Sequence, residues 1–391
     1  MPIPAPTVAF TDLKIWDGHR LLEADSLVLS GGQIRFVGDK SDLPTNINPQ
    51  SGAGLTAIPG LIDAHVHLEL NPEDKHPPLR TESSVIPLMA QRAAEMANAG
   101  ITTARDLGGG AWFELDLRDD IANGRALGPR LLCAGQPITS PHGHCHFWGG
   151  EAHDLAAAQN VLERQVKRGT DLIKIMATGG RMTKGSEPTD AQFSQETLNA
   201  LVATAHSHQL QVAAHCHGTE GIHRAAVAGV NTIEHCSWVG REGWASDYQE
   251  DVARIILDNG VWVSPTVNKG WQRMLDSSTG SVLKRVRSAY QKMLGLGIPM
   301  IASTDAGIPG VFHADLPHAL VVFSKIAELT AEQTLKTATS DAARGLGIDH
   351  VTGSLELGKA ADVLILDGNP LTDLTAVTRP YRVYCQGRQA R

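Results

Sequence analysis

The sequence predicts an α/β protein in which a (β/α)8 TIM-like barrel fills the middle of the chain and the two ends fold together as a small β-rich domain. Three observations predict it. From about residue 59 to residue 345 short apolar strands alternate with helical patterns, a span that fits a barrel of ~250 residues plus insertions. Several of these strands end in a residue able to ligate a metal, and a parallel barrel builds its chemistry at the C-terminal ends of its strands. Residues 7–58 and 353–391 have another rhythm, short strands broken by Gly, Asp and Pro.

Taken in order, Val8-Ala9-Phe10, Leu27-Val28-Leu29 and Gln33-Ile34-Arg35-Phe36-Val37 read as an antiparallel module rather than as barrel units. Barrel strands are expected near 61–67, 101–106, 131–135, 172–176, 211–216, 231–235, 261–264 and 300–304. Helical patterns lie between them, and the one beginning at Gln195 is announced by Ser194, a capping residue. The β-rich character returns in Val363-Leu364-Ile365-Leu366 and Arg382-Val383-Tyr384-Cys385. A chain of 391 residues exceeds one average domain, so the expected division is 1–58 with 346–391 as one domain and 59–345 as the barrel.

Composition narrows the function. Apolar residues make up 42% and charged residues 19% of the chain, ordinary values for a globular protein that can bury a large core. A net charge of −8 without a basic cluster argues against nucleic acid or an anionic membrane and leaves a small molecule as the expected partner. No run approaches the ~18 apolar residues of a membrane span, and Met1-Pro2-Ile3-Pro4-Ala5-Pro6 lacks the charged and apolar regions of a signal peptide, so the default location is cytoplasmic. The five cysteines, Cys133, Cys145, Cys216, Cys236 and Cys385, are odd in number and scattered, which argues against a disulfide framework.

The chemistry starts at Pro59-Gly60-Leu61-Ile62-Asp63-Ala64-His65-Val66-His67. In a strand, residues i and i+2 face the same way, so His65 and His67 can reach one ion together. Among 17 histidines such a pair also arises by chance. Four later apolar runs end in metal-competent residues: Lys174, His215 with His217, His235, and Asp305. The set is much more specific than any member. Cys216 and Cys236 follow ligand candidates directly, and strand alternation should turn them into the barrel wall.

The motifs Pro-Gly-Leu-Ile-Asp-Ala-His-Val-His, Ile-Lys-Ile-Met-Ala-Thr-Gly-Gly, Ala-His-Cys-His-Gly, Ile-Glu-His and Ser-Thr-Asp-Ala-Gly resemble the amidohydrolase superfamily. More narrowly they are similar to its prolidase-like branch of binuclear metal-dependent dipeptidases and carboxypeptidases. With Gly353-Ser354-Leu355-Glu356-Leu357-Gly358-Lys359 the resemblance covers nearly the whole chain. It implies a β-sandwich assembled from both termini. It also implies that His65, His67 and Asp305 hold one ion, that His215 and His235 hold the other, and that Lys174 bridges them as an N6-carboxylated lysine. A bare ammonium aimed at two divalent ions would be repelled, which is the physical reason for the carbamate. Zinc suits imidazole and carboxylate ligands, and manganese or cobalt would also fit.

Amide hydrolysis at neutral pH needs an activated water, a Lewis acid on the carbonyl oxygen and a proton shuttle to the leaving group. The resemblance gives the shuttle to Asp305, acting on a metal-bridging hydroxide; read alone, Asp305 would be a helix cap. His144 matches a histidine used near the scissile carbonyl, but His142 and Cys145 stand where that branch has glycines, and His146 is extra. His217 should share the interior with His215, as a carbonyl or oxyanion contact or as packing. His313 reads equally as a substrate contact or a structural residue. Arg105, Arg181 and Lys184 are the cations expected on the βα loops, and Arg181 is the candidate for a substrate carboxylate. His206 and His208 precede the fifth strand and should be solvated.

The expected reaction is hydrolysis of the amide bond of dipeptides, peptide C-termini or N-acyl amino acids. Lactone, carbamate or phosphotriester hydrolysis on the same metals stays open. So does a mononuclear enzyme resembling imidazolonepropionase or a deaminase, which would not use Lys174 as a ligand. A non-catalytic binding barrel is disfavoured by the complete ligand set. No interface signature decides for or against a homo-oligomer.

Overall fold

The computed structural model describes residues 5–75, 83–277 and 280–391; Met1–Pro4, read above for a leader signal, lie outside them. The N-terminal strands are β1 (Val8–Thr11), β2 (Lys14–Ile15), β3 (Ser26–Ser30), β4 (Gln33–Gly38), β5 (Gln50–Ser51) and β6 (Leu55–Pro59). The middle carries β7 (Leu61–Val66), β8 (Ile101–Asp106), β9 (Arg130–Cys133), β10 (Leu172–Met176), β11 (Gln211–Gly218), β12 (Thr232–Val239) and β13 (Trp262–Ser264). The C-terminal strands are β14 (Val363–Asp367), β15 (Pro380–Cys385) and β16 (Arg388–Gln389).

The two ends of the chain meet. β6 pairs antiparallel with β14, Ile58 opposite Leu364, in a sheet ordered β16-β15-β14-β6-β2. A second sheet, β4-β3-β1-β5, contributes Phe10, Leu27 and Leu29 to a buried cluster that also holds Val363, Ile365 and Tyr384. Alternation along β14 explains its unbroken apolar run: Val363 and Ile365 face this cluster, while Leu364 and Leu366 face another that includes Leu61, Val66 and Ile101 of the α/β part.

In the middle of the chain β7-β8-β9 and β10-β11-β12-β13 form two parallel sheets. Backbone bonds link their edges. On one side Ile138 N donates to Lys174 O at 2.9 Å and Met176 N to Ile138 O at 2.8 Å. On the other, Ile301 N donates to Val263 O at 2.9 Å and Ala64 N to Ala302 O at 3.2 Å. The strand expected at 300–304 does not form as a ladder, because two of its amides bond elsewhere. Ala302 N donates to Thr337 O, and Thr304 N to the Asp63 carboxylate at 3.1 Å.

Helices α1 (Ile86–Asn98), α2 (Phe113–Ala122), α3 (Leu155–Arg168) and α4 (Gln195–Ser207) alternate with these strands, followed by α5 (Thr219–Ala228), α6 (Glu250–Asp258), α7 (Gln272–Asp276) and α8 (Ser281–Leu296). The Ser194 side chain accepts from Thr197 N at 3.2 Å, as its position predicts. On β11, Val212, Ala214 and Cys216 join the large apolar cluster shared with the helices, and Cys236 of β12 joins it too. That leaves His215 and His217 facing the opposite way. Entry into β7 runs through Gly60, where a Cβ would sit 2.1 Å from Thr102 Oγ1; only glycine lets the two strands approach so closely. Among the described residues no helix is long and apolar enough to cross a membrane.

Candidate metal centre

His65, His67, His144, Lys174, His215, His217, His235 and Asp305 line one cavity of about 240 Å³. Within it two groups stand out, His65 with His67 and Asp305, and His215 with His217 and His235; in each, one ligand-capable atom per residue lies within 4.8 Å of the others. Each imidazole is tied at one nitrogen. His67 Nδ1 donates to Gly108 O at 3.1 Å and His215 Nε2 to Gly179 O at 3.1 Å, bonds that only an N–H can make. His65 Nδ1 lies 3.0 Å from Glu234 Oε2, His235 Nδ1 2.8 Å from Thr266 Oγ1, and His217 Nδ1 3.0 Å from Ser237 Oγ. Tying one nitrogen fixes the tautomer and turns the other lone pair toward a ligand.

The first group is electrostatically incomplete. His65 Nε2 and His67 Nε2 are 3.3 Å apart, and they stand 3.3 and 3.4 Å from Asp305 Oδ1. With both Nδ1 atoms protonated, three electron-rich atoms face one another with no proton among them. Donors about 2.0–2.1 Å from a tetrahedral ion stand about 3.3 Å apart, so these spacings fit a shared cation. Burial lowers His65 to about 4 and His217 to about 3, and takes His215 and His235 well below the ordinary imidazole value. All four are therefore neutral, the form that ligates. Burial alone would raise the Asp305 carboxyl, and what holds it below the usual range is positive charge shared with it, a proton on His65 or His67 or an ion in its place, with Lys174 adding to it.

Lys174 is 1% exposed and its Nζ has no hydrogen-bond partner among the described residues. Burial lowers its amine to about 8. A buried amine without a partner is costly. The donor set and this orphan nitrogen together fit divalent metal.

Supporting residues are the part the sequence did not announce. Glu234 is fully buried and accepts from Arg105 Nη2 at 2.7 Å with one oxygen while its other meets His65. Burial opposes its charge, but Arg105 holds it well below the ordinary carboxylate range. Glu234 and His235 are sequence neighbours that both turn inward, against strand alternation, because His235 adopts φ 67° and interrupts the regular pleat of β12 there. Asp305 at φ 62° and Thr266 at φ 53° are similarly left-handed. Strained backbone of this kind collects at functional sites. Asp63 accepts from Thr304 Oγ1 at 2.6 Å and fixes the turn that presents Asp305. A charged residue inside the apolar run Ile-Glu-His was the one available signal for Glu234.

Other expectations fall out differently. Arg105 does not serve a substrate: it is 1% exposed, bonded to Ala64 O, Thr232 and Glu234, because it lies within β8 and not on the loop after it. His313 is absent from the cavity wall, and its Nε2 donates to His67 O at 3.0 Å, bracing the ligand loop. Arg181 lines the cavity with its guanidinium 5.4 Å from the centre of the Trp244 ring, whereas Lys184 does not line it. His144 lines it 4.6 Å from the His215 ring, its Nδ1 3.2 Å from Thr183 Oγ1. His142 and Cys145 adopt the left-handed geometry that glycine takes most readily, φ 55° and 58°. His206 and His208 are exposed, beside Asn231 and Glu163.

Residues 56–390 match the family model described as the amidohydrolase family. Ochratoxinase of Aspergillus niger is 27% identical over 96% of this chain and 84% of its own length. A solved Xaa-Pro dipeptidase with methionine bound in its active site superposes with a TM-score of 0.85 at 26% identity, over 98% of this chain and 99% of that one. The structure of A. niger ochratoxinase gives a TM-score of 0.82 at 24% identity, over 99% and 96%.

Proposed function

We propose, from the premise that this chain belongs to the amidohydrolase family and is a hydrolytic enzyme of amide bonds, that it acts at a two-metal site on dipeptides, peptide C-termini or N-acyl amino acids. The observation that carries this reading is the unpartnered Lys174 Nζ in the cavity wall shared by the two histidine groups. A mononuclear site of the imidazolonepropionase type would leave that amine without a purpose. On this reading residues 59–345 close into a (β/α)8 barrel, and 1–58 with 346–391 form a β-sandwich.

His65, His67 and Asp305 would hold one ion, and His215 and His235 the other. Lys174 would reach both as its N6-carboxylate. Its lowered amine value of about 8 favours this, because CO2 adds only to the neutral amine. Zinc is the expected metal. When bound, the ions supply Lewis acidity at the carbonyl oxygen and make a water nucleophilic at neutral pH. Asp305 accepts the water's proton on its carboxylate and hands it to the leaving nitrogen. His144 and His217, both neutral, meet the carbonyl oxygen as N–H donors where negative charge develops.

Arg181, at the cavity wall over Trp244, meets the substrate carboxylate. Steady-state kinetics on an N-acetyl amino acid and its carboxyl-amidated counterpart test both statements. The protein is expected to cleave the acid. Arg181→Ala should raise KM for the acid roughly 10- to 150-fold, the worth of a charge-assisted bond of about 1.5–3 kcal/mol, and leave the amidated compound unaffected. An unchanged KM for the acid rules out the carboxylate contact, and no cleavage of either compound counts against the reaction.

A further inference from the structure

A second cavity, about 270 Å³, lies beside the metal centre, and the two have Ser237, Trp244 and Trp271 in common in their walls. Its remaining wall comes from β12, α7, α8 and Ala245 of the loop after β12, chiefly Trp238, Met274, Val282 and Tyr290. Among the described residues no charged side chain lines it. Apolar pockets of this size next to a reacting centre are where apolar parts of small ligands bind. An apolar cavity of roughly 150 Å³ accepts a benzene ring, so this one has room for a benzyl or indolyl group.

Which part of the substrate enters is decided at Trp244. Its ring centre is 4.8 Å from that of His217 and 5.4 Å from the Arg181 guanidinium, and it also walls the apolar cavity. A carboxylate and a side chain attached to one Cα sit within a few bonds of each other. A carboxylate held by Arg181 therefore brings the side chain of that same residue to the apolar wall.

We infer that the cavity is the subsite for the side chain of the departing amino acid, and that the enzyme prefers substrates releasing a large apolar or aromatic residue. This rests on the amide-hydrolase reading above and adds its specificity. Val282 and Met274 are specificity-determining residues that touch the side chain and not the reacting atoms.

The test measures binding and turnover separately on the metal-loaded protein. Calorimetric titration with the product amino acids should show L-phenylalanine binding on the order of 100-fold tighter than L-alanine, and kcat/KM for N-acetyl-L-phenylalanine should exceed that for N-acetyl-L-alanine by a similar factor. Val282→Trp, which fills the cavity, should bring both ratios close to one; Met274→Trp is the second filling variant, and each is first checked for an unchanged melting temperature. Equal binding of the two amino acids, or ratios that survive both substitutions, overturn the subsite. Selective binding without turnover of any amide upholds the subsite and removes the reaction, whereas turnover without side-chain preference does the reverse.

Discussion

Lys174→Ala is expected to lower kcat/KM on the order of 10³-fold or more and to leave fewer than two metal ions per chain. The side chain is 1% exposed, lacks any partner among the described residues, and lies within electrostatic reach of His65, His215 and His235. Elemental analysis of the purified variant beside its rate checks the expectation. A variant that keeps two ions and full rate would contradict the bridging role. The metal-free protein gives an independent sign. Its Lys174 amine is lowered from 10.5 to about 8 by burial, so between those values the unfolded chain holds a proton that the folded chain has released. Stability of the metal-free wild type should therefore rise as pH goes from about 8 to 10.5, a contribution of roughly 3 kcal/mol that Lys174→Ala removes.

The second large effect concerns stability. Glu234→Ala leaves the buried Arg105 guanidinium without its carboxylate and should cost about 3–5 kcal/mol of unfolding free energy, measured by chemical denaturation. The same change frees His65 Nδ1 and should weaken metal binding roughly 10- to 100-fold. Because the loss comes from the stranded charge, adding Arg105→Met should recover part of the stability but none of the metal affinity. A loss below about 1 kcal/mol in Glu234→Ala would mean that Arg105 finds another partner.

Much of the site was legible because strand periodicity and metal chemistry constrain the same residues. His65 and His67 two apart follow from strand alternation, while the ligand roles of Lys174, His215 and His235 were legible through the resemblance of their motifs. The supporting shell was hidden for the same reason. Glu234 and His235 both face inward only because the backbone turns left-handed at His235, and no period predicts that. Arg105 read as a loop cation although it falls inside the expected strand 101–106, because its buried partner Glu234 is 129 residues away and the sequence does not pair them. The ladder at 300–304 was lost to Thr337 O and to the Asp63 side chain, partners outside the strand that no local pattern announces. The apolar cavity draws on residues from Cys236 to Tyr290 in β12, α7, α8 and the connections between them, which only tertiary packing brings together.

The most direct measurement is amino acid release from a mixed panel of dipeptides and N-acyl amino acids by protein reconstituted with Zn²⁺ and bicarbonate, with Asp305→Asn as the blank. Release that disappears in the variant is the predicted result. A metal-loaded protein that releases nothing from the panel, yet opens lactones, carbamates or phosphotriesters, would contradict the account.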